Sequence, residues 1–281
     1  MIIMYHYINS SKNERKNFNH ISLKKFNHHI KRFKSNMSSE ENDIFKKKTT
    51  TFSFDDGLKE HLHAAETLKK NNKIGIFFIP TMPIKNKKFL DVHKAHIILS
   101  QIGAKKANGL INNLYPKLEK KFFNHKEQYS IDKKKENNQE IYFKSVVNYI
   151  RPKNISKSLD EILKKNCSFV SIENFYLNKK EIRHIKNLGM IIGSHAHSHN
   201  VLSSLNYKHQ LIEIEKSGNF LSKIIGQDVS YFSYPYGNSI SYNKDTIKAL
   251  KKNKIKYAFR SNLLKHNKNK LEFPRLDCSL I

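Results

Sequence analysis

Thr51-Phe52-Ser53-Phe54-Asp55-Asp56-Gly57 is the stretch from which the rest of the chain can be read. Phe52 and Phe54 alternate with hydroxyl residues, as in a strand with one apolar face, and the run ends in two adjacent carboxylates and a glycine that permits a sharp turn. Neighbouring side chains at a strand end point to different faces, so one acid can hold a metal while the other handles a proton. Asp is also a favoured helix N-cap, and taken alone the pair reads as readily as the cap of the following helix.

Outward from this stretch, strand and helix signals alternate. Ile2 to Ile8 is an apolar run containing His6 and is the expected first strand. Ser22 to Phe33 places Leu23, Phe26, Ile30 and Phe33 at helical spacing behind a Ser22 cap. A helix is expected from His61 to Lys70, and a strand buried on both faces from Ile74 to Ile79. After Pro80 and Pro83 the rhythm changes: Val92 to Leu118 is helical in pattern, and Lys, Asn and Glu dominate to about Lys165. Residues 85–174 therefore read as a largely helical insertion in a single domain spanning 1–281. Its tip near Ile131 to Gln139 reads as a mobile loop. A second small domain is the competing reading, and no Gly/Pro linker supports it.

Regularity returns with a helix at Lys179 to Leu188, a strand at Met190 to Gly193 and a helix at Leu205 to Ile225. A strand at Tyr231 to Tyr234, a helix at Asp245 to Lys252 and a strand at Lys256 to Arg260 follow, before the closing Phe273-Pro274-Arg275-Leu276-Asp277. This order favours a parallel α/β architecture, and a barrel over an open sheet because no Gly-rich phosphate loop is seen.

The chain has 281 residues, enough for one large core, and a formal net charge of +28. Such a charge invites polyanions, yet the lysines are scattered, and the runs Lys46-Lys47-Lys48 and Lys133-Lys134-Lys135 are too short for a nucleic-acid stripe. No specific nucleic-acid partner is expected, although a basic surface can rest against anionic lipid. Two cysteines, Cys167 and Cys278, argue against a disulfide framework or a cysteine zinc site. The opening Met1 to Tyr5 is too short for a signal-peptide core and no stretch is long enough to span a membrane, so a cytoplasmic location is expected.

His195, His197 and His199 follow an apolar strand at alternating positions. Histidine is the commonest side-chain metal ligand, and His195 and His199 share a face in helical or extended backbone. Joined with Asp56 they make a two-histidine, one-carboxylate set, the composition of a catalytic metal site with open positions. Both groups lie at expected C-terminal strand ends, where barrel enzymes assemble their active sites.

Phe52 to Gly57, His195-Ala196-His197-Ser198-His199 with Leu202, and Tyr234-Pro235-Tyr236-Gly237 occur in an order that resembles the polysaccharide deacetylase family, also called NodB-homology or carbohydrate esterase family 4. The resemblance covers nearly the whole chain outside the insertion. It implies a distorted (β/α) barrel and a metal-dependent hydrolase that removes N-acetyl groups from a sugar of a surface polysaccharide or its precursor. By position it makes Asp55 the catalytic base and Asp56, His195 and His199 the ligands of one divalent ion. Zinc is the expected ion; cobalt, nickel and iron suit the same ligand types. His197 lies between ligands and is left out of the set.

Two departures stand out. Where many members carry an arginine that orients the base, this chain has Ser233, a form similar to the poly-N-acetylglucosamine deacetylase branch. No late histidine motif is seen either; in that branch a first-strand histidine is the general acid, and His6 matches it, read here as buried among apolar neighbours. The backbone N–H of Tyr236 is assigned to the oxyanion, and Pro235 and Arg275 to substrate binding, with Arg275 also a candidate for the missing guanidinium. The expected partner is an N-acetylated glycan or a lipid- or nucleotide-linked sugar. The rival from another class is a carbohydrate-binding protein that keeps the fold without activity.

Overall fold

A computed structural model describes residues 1–9, 18, 20–34, 49–123, 137–261 and 269–281. The chain forms two compact units, one of Met1–Lys12, Asn19–Lys88 and Ile172–Ile281 and the other of Asn13–Phe18 and Phe89–Ser171.

Among the described residues the first unit contains ten strands: β1 (Ile2–Tyr5), β2 (Ile8–Asn9), β3 (Ile21–Ser22), β4 (Thr51–Phe54), β5 (Gly75–Ile79), β6 (Ile191–Ser194), β7 (Tyr231–Ser233), β8 (Tyr257–Arg260), β9 (Phe273–Pro274) and β10 (Leu276–Asp277). Eight of them form one sheet in the order β10-β1-β4-β5-β6-β7-β8-β9, and every pairing in it is parallel. β9 and β10 are separated by Arg275 alone, so the stretch 273–277 pairs with β8 through Phe273 and with β1 through Leu276. The sheet thus becomes a nearly closed ring with helices around it, the distorted (β/α) barrel expected from the alternation of elements.

Strand parity determines what the ring contains. Ile2, Ile76, Phe78, Ile191, Tyr231, Tyr257 and Phe259 come from strands on opposite sides of the sheet and form one buried cluster with Phe273, which marks the inner face. Phe52, Phe54, Phe77, Ile79 and Ile192 pack outward in a cluster that includes Ala64, Ala65 and Leu68 from the helix His61–Lys70 and Ile182 and Ile185 from the helix Lys179–Asn187. Because side chains alternate along a strand, the inward sets run 2-4-6, 51-53-55, 191-193-195, 231-233 and 273-275. His6, Asp55, His195 and Arg275 all share the inward parity, at or just beyond C-terminal strand ends.

The expected first strand is shorter than Ile2 to Ile8. The chain leaves the sheet after Tyr5 so that Ile8 can pair with Ile21 in a separate ribbon. His6 is therefore not enclosed among apolar neighbours; it sits just beyond β1 with its side chain 37% exposed.

The second unit is helical among its described residues: Asp91–Leu114, kinked at Gly103, then Leu118–Phe123, Asn138–Ser145 and Ile155–Asn166, with a wide π-type turn at Val146–Ile150. It has its own core, in which Ile98, Ala107, Ile111, Phe143, Val147 and Leu159 are wholly buried. Buried Lys94 is offset by Asp91 at 3.2 Å and Asp160 at 2.7 Å, while Arg151 reaches Asp91 at 2.8 Å. Residues 131–136 of the expected mobile tip lie outside the described residues; Asn137 and Glu140 form a capping box that starts the helix Asn138–Ser145. Among the described residues no helix is long and apolar enough to cross a membrane.

Gly193 lies on an inward position where an added Cβ would come within 2.5 Å of the Phe78 ring and 3.1 Å of the Tyr231 carbonyl oxygen. Gly193→Ala is expected to destabilise the barrel by about 1–3 kcal/mol through overpacking, measured as a lowered urea midpoint with unchanged m-value.

Candidate catalytic and metal site

Asp55 and Asp56 do not cap the next helix: the N-cap of His61–Lys70 is Glu60, without a side-chain bond. Instead the backbone reverses, with Asp56 at φ 81° and Gly57 at φ 60°. Asp tolerates this left-handed region better than most residues. The reversal separates the two carboxylates. The loop is braced by Leu177 N–H on the Gly57 carbonyl at 2.9 Å and Lys59 N–H on the Phe175 carbonyl at 3.0 Å.

Asp55 points into the ring and meets Arg275. The guanidinium donates to Oδ1 at 2.7 Å and to Oδ2 at 2.6 Å, a two-pronged contact. The same guanidinium reaches Ser233 Oγ at 2.8 Å, Ser53 Oγ at 3.3 Å and the Arg260 carbonyl at 3.3 Å, and Ser233 Oγ donates to Asp55 at 3.1 Å. Arg275 is 1% exposed, so its nitrogens are spent on protein groups. It orients Asp55 and does not serve as the substrate contact to which it was assigned. It approaches from the stretch 273–277, two places from β7 in the sheet order, and the small Ser233 makes room for it. Burial alone would raise the Asp55 carboxyl, but Arg275, with His195 and His6, outweighs it and holds the group at about 2.

The histidine stretch turns at the end of β6. Ala196 (φ 59°) and His199 (φ 58°) both occupy the left-handed region, which brings the His195 and His199 rings to 4.7 Å in an edge contact. His195 Nδ1 donates to the Ser233 carbonyl at 2.7 Å, an assignment that follows because a carbonyl only accepts. Its Nε2 lone pair is therefore left to face Asp56. Burial pushes the His195 imidazole down, against the pull of Asp55 and Asp56, and favours the neutral ring a ligand must have. Asp56 Oδ1 lies 3.6 Å from His195 Nε2 and 3.4 Å from His199 Nε2, and ligand atoms of all three fall within 4.8 Å of one another. These separations exceed hydrogen-bond length. Two ligands about 2.1 Å from a tetrahedral ion stand about 3.4 Å apart, so the donor set fits a divalent metal in type and in spacing.

His6 Nε2 stands 4.0 Å from Asp55 Oδ2. His197 points elsewhere: its ring bonds Thr81 Oγ1 at 2.7 Å, and burial first, then Lys216 and Lys85, push it down to about 4. Tyr236 (φ 65°) is the centre of a γ-turn closed by Gly237 N–H on the Pro235 carbonyl at 2.8 Å, and its ring packs edge-on against His199 at 4.9 Å. Ser261 Oγ holds the Tyr236 carbonyl at 2.8 Å. Pro235, also assigned to substrate, is buried and its carbonyl closes this turn.

His61 escaped the sequence reading. It is wholly buried; Nε2 donates to the His6 carbonyl at 2.8 Å and Nδ1 accepts Leu58 N–H at 3.2 Å. One neutral imidazole thus ties the loop bearing His6 to the loop bearing both aspartates. Its only signal in the sequence is a histidine five residues beyond Asp56.

The sequence profile of the polysaccharide deacetylase family matches residues 147–258, which include the histidine and Tyr-Pro-Tyr-Gly motifs and leave Asp55, Asp56, His6 and Arg275 outside. Among solved structures, the chain is similar to the Streptococcus pyogenes deacetylase PplD in complex with acetate: 16% identity, 98% of this chain and 90% of that one, TM-score 0.59. It is also similar to the Bordetella bronchiseptica BpsB deacetylase domain (10% identity, 98% and 94% covered, TM-score 0.57) and to a de-N-acetylase from Aggregatibacter actinomycetemcomitans (14%, 99% and 94%, TM-score 0.55). At these identities the likeness is one of fold. A search of curated proteins gave no significant match. Profile and fold together bear out the family resemblance read from the motifs.

Arg275→Met leaves Asp55 buried without its partner and is expected to cost about 3–5 kcal/mol in chemical denaturation. The sign of the acid response should also change. In the unaltered chain Asp55 has a folded value near 2, below the ordinary value of about 3.9, so its stabilisation is present above about pH 4 and is lost as pH falls toward 2. With burial unopposed in the variant, acidification should instead recover stability.

Proposed function

We propose, on the premise of this polysaccharide deacetylase profile and fold, that the chain is a metal-dependent carbohydrate N-deacetylase, with residues 89–171 an insertion into its barrel. The observation that carries the reading is the meeting of two chemistries at the ring's mouth: three ligand atoms within 4.8 Å of one another and an arginine-clamped carboxylate 4.0 Å from a partly exposed histidine.

Asp56, His195 and His199 would hold the ion, zinc by preference and cobalt, nickel or iron by ligand type. A divalent ion bound there supplies Lewis-acid polarisation of the acetamide carbonyl and brings the pKa of water to about 7. Asp55, kept ionised by Arg275, accepts the proton of the attacking water. Tyr236, held in its γ-turn, offers its backbone N–H to the oxyanion. His6 gives a proton to the sugar nitrogen as the C–N bond breaks, so that amine and acetate leave with charge and protons balanced. His61 anchors the His6 backbone during this exchange. The intact set of acid, base and ligand groups favours an enzyme over a binding module.

The test is acetate release from a panel of N-acetylhexosamine oligomers and sugar precursors, followed by mass spectrometry with added zinc or cobalt. Asp55→Asn is expected to lower turnover by about 10²–10⁴ while still binding metal, and near-full activity in that variant would remove Asp55 as the base. His199→Ala should lose both metal and turnover.

A further inference from the structure

From the first proposed histidine ligand to the second the chain spends two residues, Ala196 at φ 59° and the ligand His199 at φ 58°, in a region where a Cβ crowds the following carbonyl. The residues between them are gripped from outside the donor cluster. His197 N–H and Ser198 N–H both donate to Oε2 of Glu213, at 3.1 and 2.8 Å, and Ser198 Oγ donates to Oε1 at 2.9 Å. Successive backbone N–H groups converging on one point form a concavity suited to an anion. Here the anion is a side chain of the chain's own helix Tyr207–Ile225.

That helix is also registered on the strand beneath. Ser217 Oγ accepts a hydrogen bond from Ser194 Oγ at 2.8 Å, one residue before His195. Glu213 and Ser217 are four apart and share a helix face, so one face holds the end of β6 and the turn that follows it. The opposite side of the turn is pinned by Thr81 Oγ1 on His197 Nδ1 at 2.7 Å and by Met82 N–H on the His197 carbonyl at 2.8 Å.

We infer that Glu213 is a positioning residue of the metal site: its carboxylate stabilises the left-handed turn that aims His195 and His199 at Asp56. The inference rests on the reading of those three residues as metal ligands. A carboxylate suits this task because it accepts all three bonds at once. A glutamine would keep the volume but place an N–H₂ donor against one of these donors.

The experiment uses the full chain and measures zinc affinity by competition with a chromogenic chelator, together with the visible spectrum of the cobalt form. Glu213→Gln is expected to weaken metal binding by about 10–100-fold and to shift the cobalt bands, whereas Glu215→Gln, exposed on the same helix, leaves both unchanged. Affinity of Glu213→Gln within about twofold of the unaltered chain overturns the inference, since loss of a positioning residue costs well beyond that. If the unaltered chain binds zinc no better than His199→Ala, the metal reading itself fails, which is a separate outcome. Should Glu213→Gln not fold, Ser198→Ala, which removes the hydroxyl's bond to Glu213 and the one it accepts from Asn200, is measured in the same way beside Asn200→Ala; a several-fold fall in Ser198→Ala alone supports the inference, and unchanged affinity or an equal fall in both variants overturns it.

Discussion

The ion pair of Asp55 with Arg275 is the constraint around which the barrel interior is arranged. Two charges taken out of water are tolerated only when each finds its partner at good geometry and the remaining hydrogen-bonding positions are filled. Here the two-pronged contact meets the first condition, and Ser53 and Ser233 the second. Side-chain size follows from the same demand. The inward layer that would hold branched apolar residues in an ordinary barrel carries Ser53, Gly193 and Ser233 instead. These leave space for the Phe78 ring and for the guanidinium 5.4 Å from its centroid. The small side chains at these inward positions therefore make room for one arginine beside the apolar cluster.

Backbone strain collects at the mouth of the same ring. Asp56, Ala196, His199 and Tyr236, none of them glycine, all have positive φ. Residues held in such conformations persist only where their surroundings over-determine them, and each has a brace nearby. Leu177 and His61 brace the aspartate loop, Glu213 the histidine turn and Ser261 the turn at Tyr236. The rigid parallel strands bring the loops together, while these braces decide where the final atoms point.

Much of this was legible because it depends on local pattern. Alternation at 51–56 and the near-continuous apolar run at 74–79 showed strands, and helices with side-chain caps such as Ser22 and periodic apolar faces were found close to their true bounds. The closing strand escaped because Pro274 and a charged Arg275 spoil any strand signal, and its pairing with β1 and its contact with Asp55 depend on partners more than 200 residues away. His6 was expected to be enclosed because its neighbours are apolar; the two-residue ribbon that pulls the chain out of the sheet at Ile8 has no distinctive composition. Beyond the spacing of His61 from Asp56, little marks His61 or Glu213 in one dimension, since their importance lies in which backbone groups they meet.

The split strand at 273–277 also bears on how the molecule reaches this state. Asp55 and the guanidinium that compensates it are 220 positions apart, so the interior cannot be completed from local contacts. Closure must await the joining of distant segments, the kind of long-range pairing that makes folding slow. Until it occurs β1 and β8 each lack a neighbour, leaving two open edges of the sort that pair with other chains. A lysine-rich surface with a net charge of +28 opposes such encounters by mutual repulsion. Like charge on every copy thus acts against edge-to-edge pairing before the ring is sealed.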